Sequence, residues 1–351
     1  MGIIDPTEFA ATTSLEELHE ALARFGVDPG WAKREPSLWP APRQGFKPAH
    51  WSYASGRAAL EAAARFVSTE FAERRNLILF NPVEGNRYAT SRTLISAYQM
   101  VLAGETARSH RHTPNALRLV MDAGPDTCTI VEGKRLPMME GDVLLTPNWH
   151  WHGHANEGTQ NAIWIDFLDV PMMHFIDGGM FFERHPDGIE GTAPIEPHSP
   201  MRFARADWMQ ALDAASEDRP GERRVTLGPP CLDTIGLQVM RLDPAGRDMG
   251  RDMGRDMGPP GVAAVHARTT ASVIYAVADG RGETFIGDER FTWARGDVFV
   301  VPAWWQHEHR AFERSHLLRV SDEPFLERLH WLRTEDTPIP AAAERLGPAS
   351  R

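Results

Sequence analysis

Short runs of β-branched, aliphatic and aromatic residues, separated by Gly and Pro, dominate the chain from residue 76 to residue 169 and return after residue 225. In the first stretch these runs predict strands at residues 76–80, 91–102, 117–121, 127–131, 143–146 and 161–169. Many short strands punctuated by turn residues are typical of an antiparallel barrel or jelly roll. The pattern therefore predicts a fold dominated by β-structure.

Helical spacing is found mainly outside these runs. Ser14 and Glu17 form a capping-box pattern, and apolar residues recur at helical spacing from there until Gly26 ends the run. Further helices are predicted at residues 57–68 and 207–215. Residues 27–54 are rich in Pro and Trp, which indicates an ordered arm packed by aromatic side chains rather than a free linker.

Residues 104–156 carry three histidines at a spacing suited to a metal ion. In a strand, His110 and His112 would project to the same side, with Arg111 turned away. Gly141 and Pro147 mark turns that bring the chain back, so that His152 can join them from another strand. Imidazole suits iron, zinc, copper and nickel alike, so the histidines alone leave the metal open.

The second half of the chain repeats this pattern. The segment from Gly296 through Pro302 to His307 and His309 matches the segment from Gly141 to His154 position by position. His266 and Arg268 then stand where His110 and His112 stand in the first copy. Because a guanidinium keeps its proton at neutral pH, we expect no metal in the second barrel and only structural or interface roles for its histidines.

These motifs resemble those of the cupin superfamily. The glycines, proline and asparagine of both cupin motifs are in register at Gly104, Gly124, Gly141, Pro147 and Asn156. The usual glutamate ligand is missing, since Ala116 and Leu117 stand at its positions, and Trp149 replaces a motif glycine. A neutral three-histidine set leaves more net positive charge on a divalent metal, which favours an anionic chelating substrate.

Composition narrows the function further. Of the 351 residues, 42% are hydrophobic and 24% are charged, as in ordinary soluble globular proteins. A net charge of -11 without a basic stripe argues against a nucleic-acid partner, and no apolar window approaches the length of a membrane span. The two cysteines, Cys128 and Cys231, form no Cys-x-x-Cys motif. We therefore expect a cytoplasmic protein.

Residues 104–118, 146–154 and 164–171, with residues 74–82 before them, are similar to the gentisate 1,2-dioxygenase family, which includes salicylate and 1-hydroxy-2-naphthoate dioxygenases. The similarity covers most of the chain. It implies a bicupin, with two antiparallel double-stranded β-helix (jelly-roll) barrels behind an N-terminal helical arm. It also implies one Fe(II) per chain in the N-terminal barrel, O2 and a small aromatic acid as substrates, ring cleavage between the carboxyl-bearing and hydroxyl-bearing carbons, and a homotetramer.

The resemblance also implies roles for individual residues. His110, His112 and His152 match the iron ligands. Arg118, which shares strand parity with His112, falls where the family binds the substrate carboxylate, and His154 where a histidine contacts bound substrate or oxygen. Arg74 and Gln99 match further positions of the family's substrate pocket, and Asp166 matches an acidic residue near the far side of the substrate ring.

Two departures from the family leave the substrate open. Residue 153 is Gly where the family commonly has Asp, and residue 167 is Phe where it commonly has Gly. Both adjoin residues of the expected pocket. Besides gentisate, the alternatives are a salicylate with an amino, nitro or halogen substituent and 1-hydroxy-2-naphthoate. Two other classes remain as hypotheses: a non-catalytic cupin that binds a small acid or stores a metal, and a cupin isomerase or decarboxylase that consumes no oxygen.

The predicted domains follow from these patterns. They are a helical arm at residues 1–73, the metal-binding barrel at 74–180, a connector at 181–225, the second barrel without an intact metal site at 226–335 and a tail at 336–351. Three copies of Arg-Asp-Met-Gly at residues 247–258 predict an exposed flexible loop, to which we assign no function.

Overall fold

The computed structural model describes residues 5–32, 38–68, 74–188, 193–228, 232–244 and 264–336. Cys231 and the Arg-Asp-Met-Gly insert lie outside these residues. The chain divides into two compact units, Met1–Arg43 and Gln44–Arg351. Within the described ranges, no helix is both long and apolar enough to cross a bilayer.

The first unit contains two helices, α1 (Pro6–Ala10) and α2 (Leu15–Phe25). The Ser14 hydroxyl accepts a hydrogen bond from the Glu17 backbone N–H at 3.1 Å, which satisfies one of the free donors at the start of α2. The Glu17 carboxylate accepts from the Thr13 backbone N–H at 2.7 Å. Gly26 ends the helix with a φ of 83°. The predicted capping box and helix are confirmed, with Thr13 as the reciprocal donor.

The second unit holds all the strands of the described residues and four further helices. The helices are α3 (Tyr53–Ala63), α4 (Val170–Met173), α5 (Arg205–Ala214) and α6 (Glu323–Arg328). The predicted helix at 57–68 corresponds to α3, which begins earlier because the Ser52 side chain caps it. The predicted helix at 207–215 corresponds to α5.

The strands fall into two groups along the chain. The first group is β1 (Ala49–Trp51), β2 (Arg75–Ile78), β3 (Ile95–Val101), β4 (Thr106–His112), β5 (Ala116–Asp122), β6 (Thr127–Val131), β7 (Lys134–Pro137), β8 (Val143–Thr146), β9 (His152–Asn156), β10 (Ala162–Leu168), β11 (Phe182–Arg184) and β12 (Arg202–Phe203). The second is β13 (Glu217–Arg219), β14 (Glu222–Thr226), β15 (Gly236–Leu242), β16 (Ala264–His266), β17 (Val273–Asp279), β18 (Arg281–Ile286), β19 (Glu289–Ala294), β20 (Val298–Val301), β21 (His307–Ala311) and β22 (Ser315–Ser321).

Four antiparallel sheets form two barrels, which confirms the bicupin prediction. The N-terminal barrel pairs a sheet of order β12-β8-β5-β10-β3-β2 with one of order β11-β4-β9-β6-β7. The C-terminal barrel pairs β1-β20-β17-β22-β15-β14-β13 with β16-β21-β18-β19. β1 precedes the first barrel in sequence but extends a sheet of the second, since Ala49 pairs with Val300.

Alternate residues of β5 face two different places, a hydrophobic cluster shared by both barrels and the interior of the N-terminal barrel. On β5, Leu117 and Leu119 are buried in a cluster that also contains Ile274 and Val298 of the other barrel. Burial of such a side chain contributes about 1.5–3 kcal/mol. Because alternate residues face opposite sides, Val120 instead packs inside the N-terminal barrel, against Trp164 and its neighbours. Arg118 shares the parity of Val120 and so lies on the interior face.

Candidate functional site

His110, His112 and His152 meet in the N-terminal barrel. Strands β4 and β9 pair with His110 opposite His152, after a register shift between Ala107 and His110. One ligand atom from each of the three imidazoles lies within 4.8 Å of the others. All three residues are buried. This geometry suits a shared metal ion.

Each of the three rings is fixed in the same way by the main chain. The Nδ1 atoms of His110, His112 and His152 lie 3.2, 2.8 and 2.9 Å from backbone carbonyl oxygens. A carbonyl can only accept, so each Nδ1 carries the proton and each Nε2 keeps its lone pair. Orientation of a ligating imidazole by such a bond is the usual support for a metal site.

The histidines are also held neutral. Burial, together with the charge of Arg74, lowers the pKa of His110 to about 3. Burial lowers the pKa of His112 to about 4 and that of His152 well below its ordinary value. A neutral imidazole is the form that binds a metal, so all three rings are ready to do so at neutral pH.

Arg111 lies on the opposite face of β4, as strand alternation predicts. Its guanidinium carbon is 4.5 Å from the ring centres of both Trp149 and Trp151, and it pairs with Glu183. Trp149 has a φ of 63°, a left-handed conformation that glycine adopts most easily. Its N–H donates to the His112 carbonyl at 2.8 Å, so this turn ties the loop before β9 to a histidine strand.

Arg118, His154 and Asp166 form a buried polar group beside the histidines. The Arg118 Nη1 atom lies 2.6 Å from Nε2 and 2.8 Å from Nδ1 of His154. Its Nε atom lies 3.4 Å from Asp166 Oδ1, on the neighbouring strand. That pair is not aligned as a hydrogen bond, and Arg118 Nε and Asp166 Oδ1 both lack any hydrogen-bond partner among the described residues.

Burial shifts the pKa of each member of this group. It lowers the pKa of His154 well below its ordinary value, and the charge of Arg118 adds to that shift. Burial also lowers the pKa of Arg118, to about 10, so the guanidinium stays charged at neutral pH. The pKa of Asp166 is raised by burial, against the opposing charges of Arg118 and Arg74.

Arg74 and Gln99 complete the predicted set. Arg74 donates a hydrogen bond from Nε to the Gln99 side-chain oxygen. Gln99 pairs across strands with Trp164, and the Arg74 charge lowers the pKa of His110, His112 and His154. All the residues that the sequence selected therefore lie close to one another in the N-terminal barrel.

Two further residues of this site were missed. Thr129 Oγ1 lies 3.3 Å from Arg118 Nη1 and 3.2 Å from His154 Nδ1. The Trp164 ring centre lies 4.9 Å from that of His154. Thr129 sits opposite His154 in the β6–β9 pairing. Thr129 can be assigned to this site only from the register of that pairing, and the register cannot be read from the sequence.

The two departures from the family pattern face away from this site. A Cβ at Gly153 would lie 2.7 Å from Ser109 Oγ and 3.0 Å from the Ala107 carbonyl oxygen, so strand β4 leaves no room for a side chain there. Phe167 is fully buried in the cluster that joins the two barrels. Both residues adjoin members of the site in sequence, but they face the other side of their strands, because their parity is opposite to that of His152, His154 and Asp166.

The C-terminal barrel contains a second histidine cluster. One ligand atom each from His266, His307 and His309 lie within 4.8 Å of one another. Arg268 does not take the place of His112: its side chain is half exposed and pairs with Glu335. Trp304 corresponds to Trp149, whose N–H donates to the His112 carbonyl. The Trp304 N–H donates to the Thr269 carbonyl, so Thr269 corresponds to His112. The assignment of Arg268 to a ligand position is wrong because the chain contains one extra residue there.

Comparison with known proteins gives one consistent result. A family model described as a cupin domain matches residues 97–169. A 5-aminosalicylate 1,2-dioxygenase of Comamonas sp is 32% identical over 90% of this chain and 89% of its own length. A gentisate 1,2-dioxygenase of Aquipseudomonas alcaligenes is 29% identical over 92% and 97%. A solved salicylate 1,2-dioxygenase of Pseudoaminobacter salicylatoxidans, as an adduct with gentisate, matches with a TM-score of 0.81 and 25% identity over 93% and 95%.

Proposed function

The chain belongs to the cupin family of gentisate and 5-aminosalicylate 1,2-dioxygenases, and we propose that it opens the ring of a 2-hydroxybenzoate with Fe(II) and O2. It is a ring-cleaving dioxygenase by family. The observation that carries the proposal is the position of three neutral, oriented imidazoles beside the buried cation Arg118. That arrangement suits a metal together with an anionic aromatic substrate.

The three histidines of the N-terminal barrel fit Fe(II). Each offers an Nε2 lone pair, and a neutral set of three nitrogen ligands would hold the metal while leaving room for a chelating substrate and O2. When bound, iron supplies the redox chemistry that allows O2 to react with the ring. We assign one iron per chain to this site, with His110, His112 and His152 as ligands.

The arginines account for recognition of the carboxylate. Arg118 is fully buried and is already held by His154, Thr129 and Asp166, so it is in position before substrate arrives. A carboxylate placed against it gains a charge-assisted hydrogen bond in a site shielded from water. Arg74, held by Gln99, adds a second positive charge close to the histidines.

His154 and Asp166 position this machinery. His154 is neutral, and it accepts a hydrogen bond from Arg118. Asp166 balances the Arg118 charge from the neighbouring strand, toward the far side of the substrate ring. In the overall reaction the bond between the carboxyl-bearing and hydroxyl-bearing carbons breaks, and both oxygen atoms enter the product without an external reductant.

The substrate is gentisate or a salicylate with a substituent at carbon 5, such as amino, nitro or halogen. A relative at 32% identity is named for 5-aminosalicylate and one at 29% for gentisate. Because Gly153 and Phe167 face away from the pocket, they give no reason to prefer one of these acids. 1-Hydroxy-2-naphthoate, with its second ring, is the alternative.

The test is oxygen uptake by protein that has been reconstituted anaerobically with Fe(II). The panel is gentisate, salicylate, 5-aminosalicylate, 5-nitrosalicylate, 5-chlorosalicylate and 1-hydroxy-2-naphthoate. We expect one O2 consumed for each ring opened. His152→Ala should lose both iron and uptake, whereas His150→Ala, a partly exposed neighbour, should keep both. No uptake with any acid, with iron bound, would favour a binding or non-oxidative cupin.

The family also supports a homotetramer in the cytoplasm, which the low cysteine count suits. Light scattering should give four times the mass of one chain, and a monomer or dimer would contradict the assembly.

We keep the domain boundaries at residues 73, 180, 225 and 335 as a proposal. Limited proteolysis checks them: cleavage should concentrate near residues 73, 180 and 335, whereas residue 225 lies in the paired strand β14 and should be protected.

A further inference from the structure

The histidine cluster of the C-terminal barrel has the attributes of a metal site in its own right. His266 lies on β16, and His307 and His309 lie on β21, with His266 directly opposite His307. All three are buried. The cluster thus joins two paired strands, as the histidines of β4 and β9 do in the first barrel.

A fully buried carboxylate lies at the cluster. Glu222, on β14 in the other sheet of the barrel, places Oε2 3.0 Å from His266 Nε2. Two ligands that each lie about 2.1 Å from a tetrahedral ion are about 3.4 Å apart. The 3.0 Å contact between this nitrogen and this oxygen is that of a hydrogen-bonded pair, and only a small separation of the two atoms would place a metal between them. Arg224 holds the other oxygen of Glu222 at 2.5 Å, as outer hydrogen bonds hold ligating carboxylates.

Two nitrogen atoms of the cluster have no partner. His307 Nδ1 and His309 Nε2 are buried and make no hydrogen bond to any described residue. The opposite ring nitrogens are held, His307 Nε2 by the Tyr275 hydroxyl at 2.9 Å and His309 Nδ1 by Thr284 Oγ1 at 2.8 Å. A buried polar atom without a partner destabilises the fold. A bound cation would remove that cost at both atoms.

We propose that His266, His307, His309 and Glu222 form a second site for a divalent transition metal in the C-terminal barrel. Three imidazoles and one carboxylate favour Zn2+ or Fe2+ over Mg2+ or Ca2+, which prefer oxygen ligands. Four protein donors close a tetrahedral ion, which is the arrangement of structural rather than catalytic sites. The metal would join β14 of one sheet to β16 and β21 of the other, independently of the reaction in the first barrel.

A cavity adjoins the cluster. It has a volume of about 420 Å3 and is lined by residues that include His307, Trp305, Arg268 and Gln44. His307 therefore belongs both to the cluster and to the wall of this cavity. Arg224 and Arg219 lie against Glu222 and weaken the attraction for a cation, so the imidazole nitrogens must supply most of the affinity.

The experiment isolates this site by removing the other one. The His152→Ala protein is stripped with a chelator, loaded with Zn2+, dialysed and analysed for zinc and protein content. We expect one zinc per chain, and none when His309→Ala is added. The matched control adds His150→Ala instead, which lies outside both clusters and should leave the zinc in place. A rise in melting temperature with Zn2+ should accompany binding.

Glu222→Gln provides a second test that does not depend on His309→Ala folding. Glutamine keeps an acceptor for Arg224 but removes the anionic ligand. In the His152→Ala background, we expect zinc affinity, measured by competition with a chelator, to fall at least about tenfold. Absence of zinc from the His152→Ala protein overturns the proposal, as does full zinc binding after His309→Ala or unchanged affinity after Glu222→Gln. None of these outcomes depends on dioxygenase activity.

Discussion

Arg118 donates a hydrogen bond to His154 inside the N-terminal barrel, with Nη1 2.6 Å from Nε2. A guanidinium has no acceptor, so the His154 nitrogen that receives this bond carries no proton. Burial and the Arg118 charge both lower the pKa of His154, in agreement with a neutral ring. His154 therefore serves as an acceptor that holds the arginine at the edge of the pocket.

We expect His154→Ala to lower kcat/KM by about 10- to 100-fold, the usual effect of losing a residue that orients the groups of a metal site. Iron content should stay the same, because His110, His112 and His152 remain in place. Steady-state kinetics with metal analysis of the same samples checks this. His150→Ala is the control and should match the unmodified protein. Loss of iron from His154→Ala would instead place His154 among the ligands.

Arg118→Ala is expected to raise KM at least about tenfold, which is about 1.4 kcal/mol of substrate binding. The same change leaves Asp166 as an unpaired buried charge and should destabilise the fold by about 3–5 kcal/mol. Adding Asp166→Asn should recover much of the stability but not the KM. Urea unfolding and kinetics on the single and double variants separate the two effects.

The control for this series is Arg111→Ala. Arg111 lies on the same barrel but faces outward, between Trp149 and Trp151. Its removal should leave KM unchanged. A KM that is equally unchanged in Arg118→Ala would reject the carboxylate role of Arg118 and leave Arg74 as the remaining cation of the pocket.

Local pattern predicted much of this molecule. The strands predicted at 127–131 and 143–146 coincide with β6 and β8, because runs of β-branched and aliphatic residues between turn residues are local signals. The first histidine cluster was predicted for the same reason. His110 and His112 share a face by parity, and the spacing to His152 follows the two turns between them.

Features that depend on pairing between distant strands could not be predicted. The extra residue near Arg268 changes which residue matches His112, and it is recognised from the hydrogen bond of Trp304 to Thr269 together with the pairing of His266 with His307. Glu222 is far from His266 in sequence and meets it only because two sheets close into a barrel. Parity also shows that Gly153 and Phe167 face away from the pocket, although proximity in sequence suggested otherwise.

Gly153→Asp should destabilise the protein without changing its substrate preference. The new Cβ would lie 3.0 Å from the Ala107 carbonyl and 3.3 Å from Ser109 Cα, so the backbone of β4 must shift. Overpacking of this kind costs about 1–3 kcal/mol. The ratio of kcat/KM for gentisate to that for 5-aminosalicylate should not change. Gly124→Ala is the control for stability, because the nearest atom to its Cβ is 3.9 Å away.

Asp322 links the two halves of the chain and is fully buried. Its carboxylate accepts hydrogen bonds from the Ser272 N–H, at 2.8 Å, and from the Thr93 hydroxyl of the first half. Burial raises its pKa to about 6, and the nearby charge of Glu323 acts in the same direction, whereas the bonds from Thr93 and Ser272 oppose the shift. The ordinary value is 3.8.

A carboxyl group with a raised folded-state pKa stabilises the fold fully below its unfolded pKa and loses that contribution as pH rises through the folded value. For Asp322 the loss falls between about pH 4 and pH 7, and between pH 5 and pH 7 it amounts to about 1.4 kcal/mol. Asp322→Asn keeps the acceptor for Ser272 but does not titrate. Urea unfolding at both pH values should therefore show the unmodified protein losing about 1.4 kcal/mol more than the variant. The exposed Asp288→Asn should follow the unmodified protein, and parallel changes in the unmodified protein and Asp322→Asn would contradict the raised pKa.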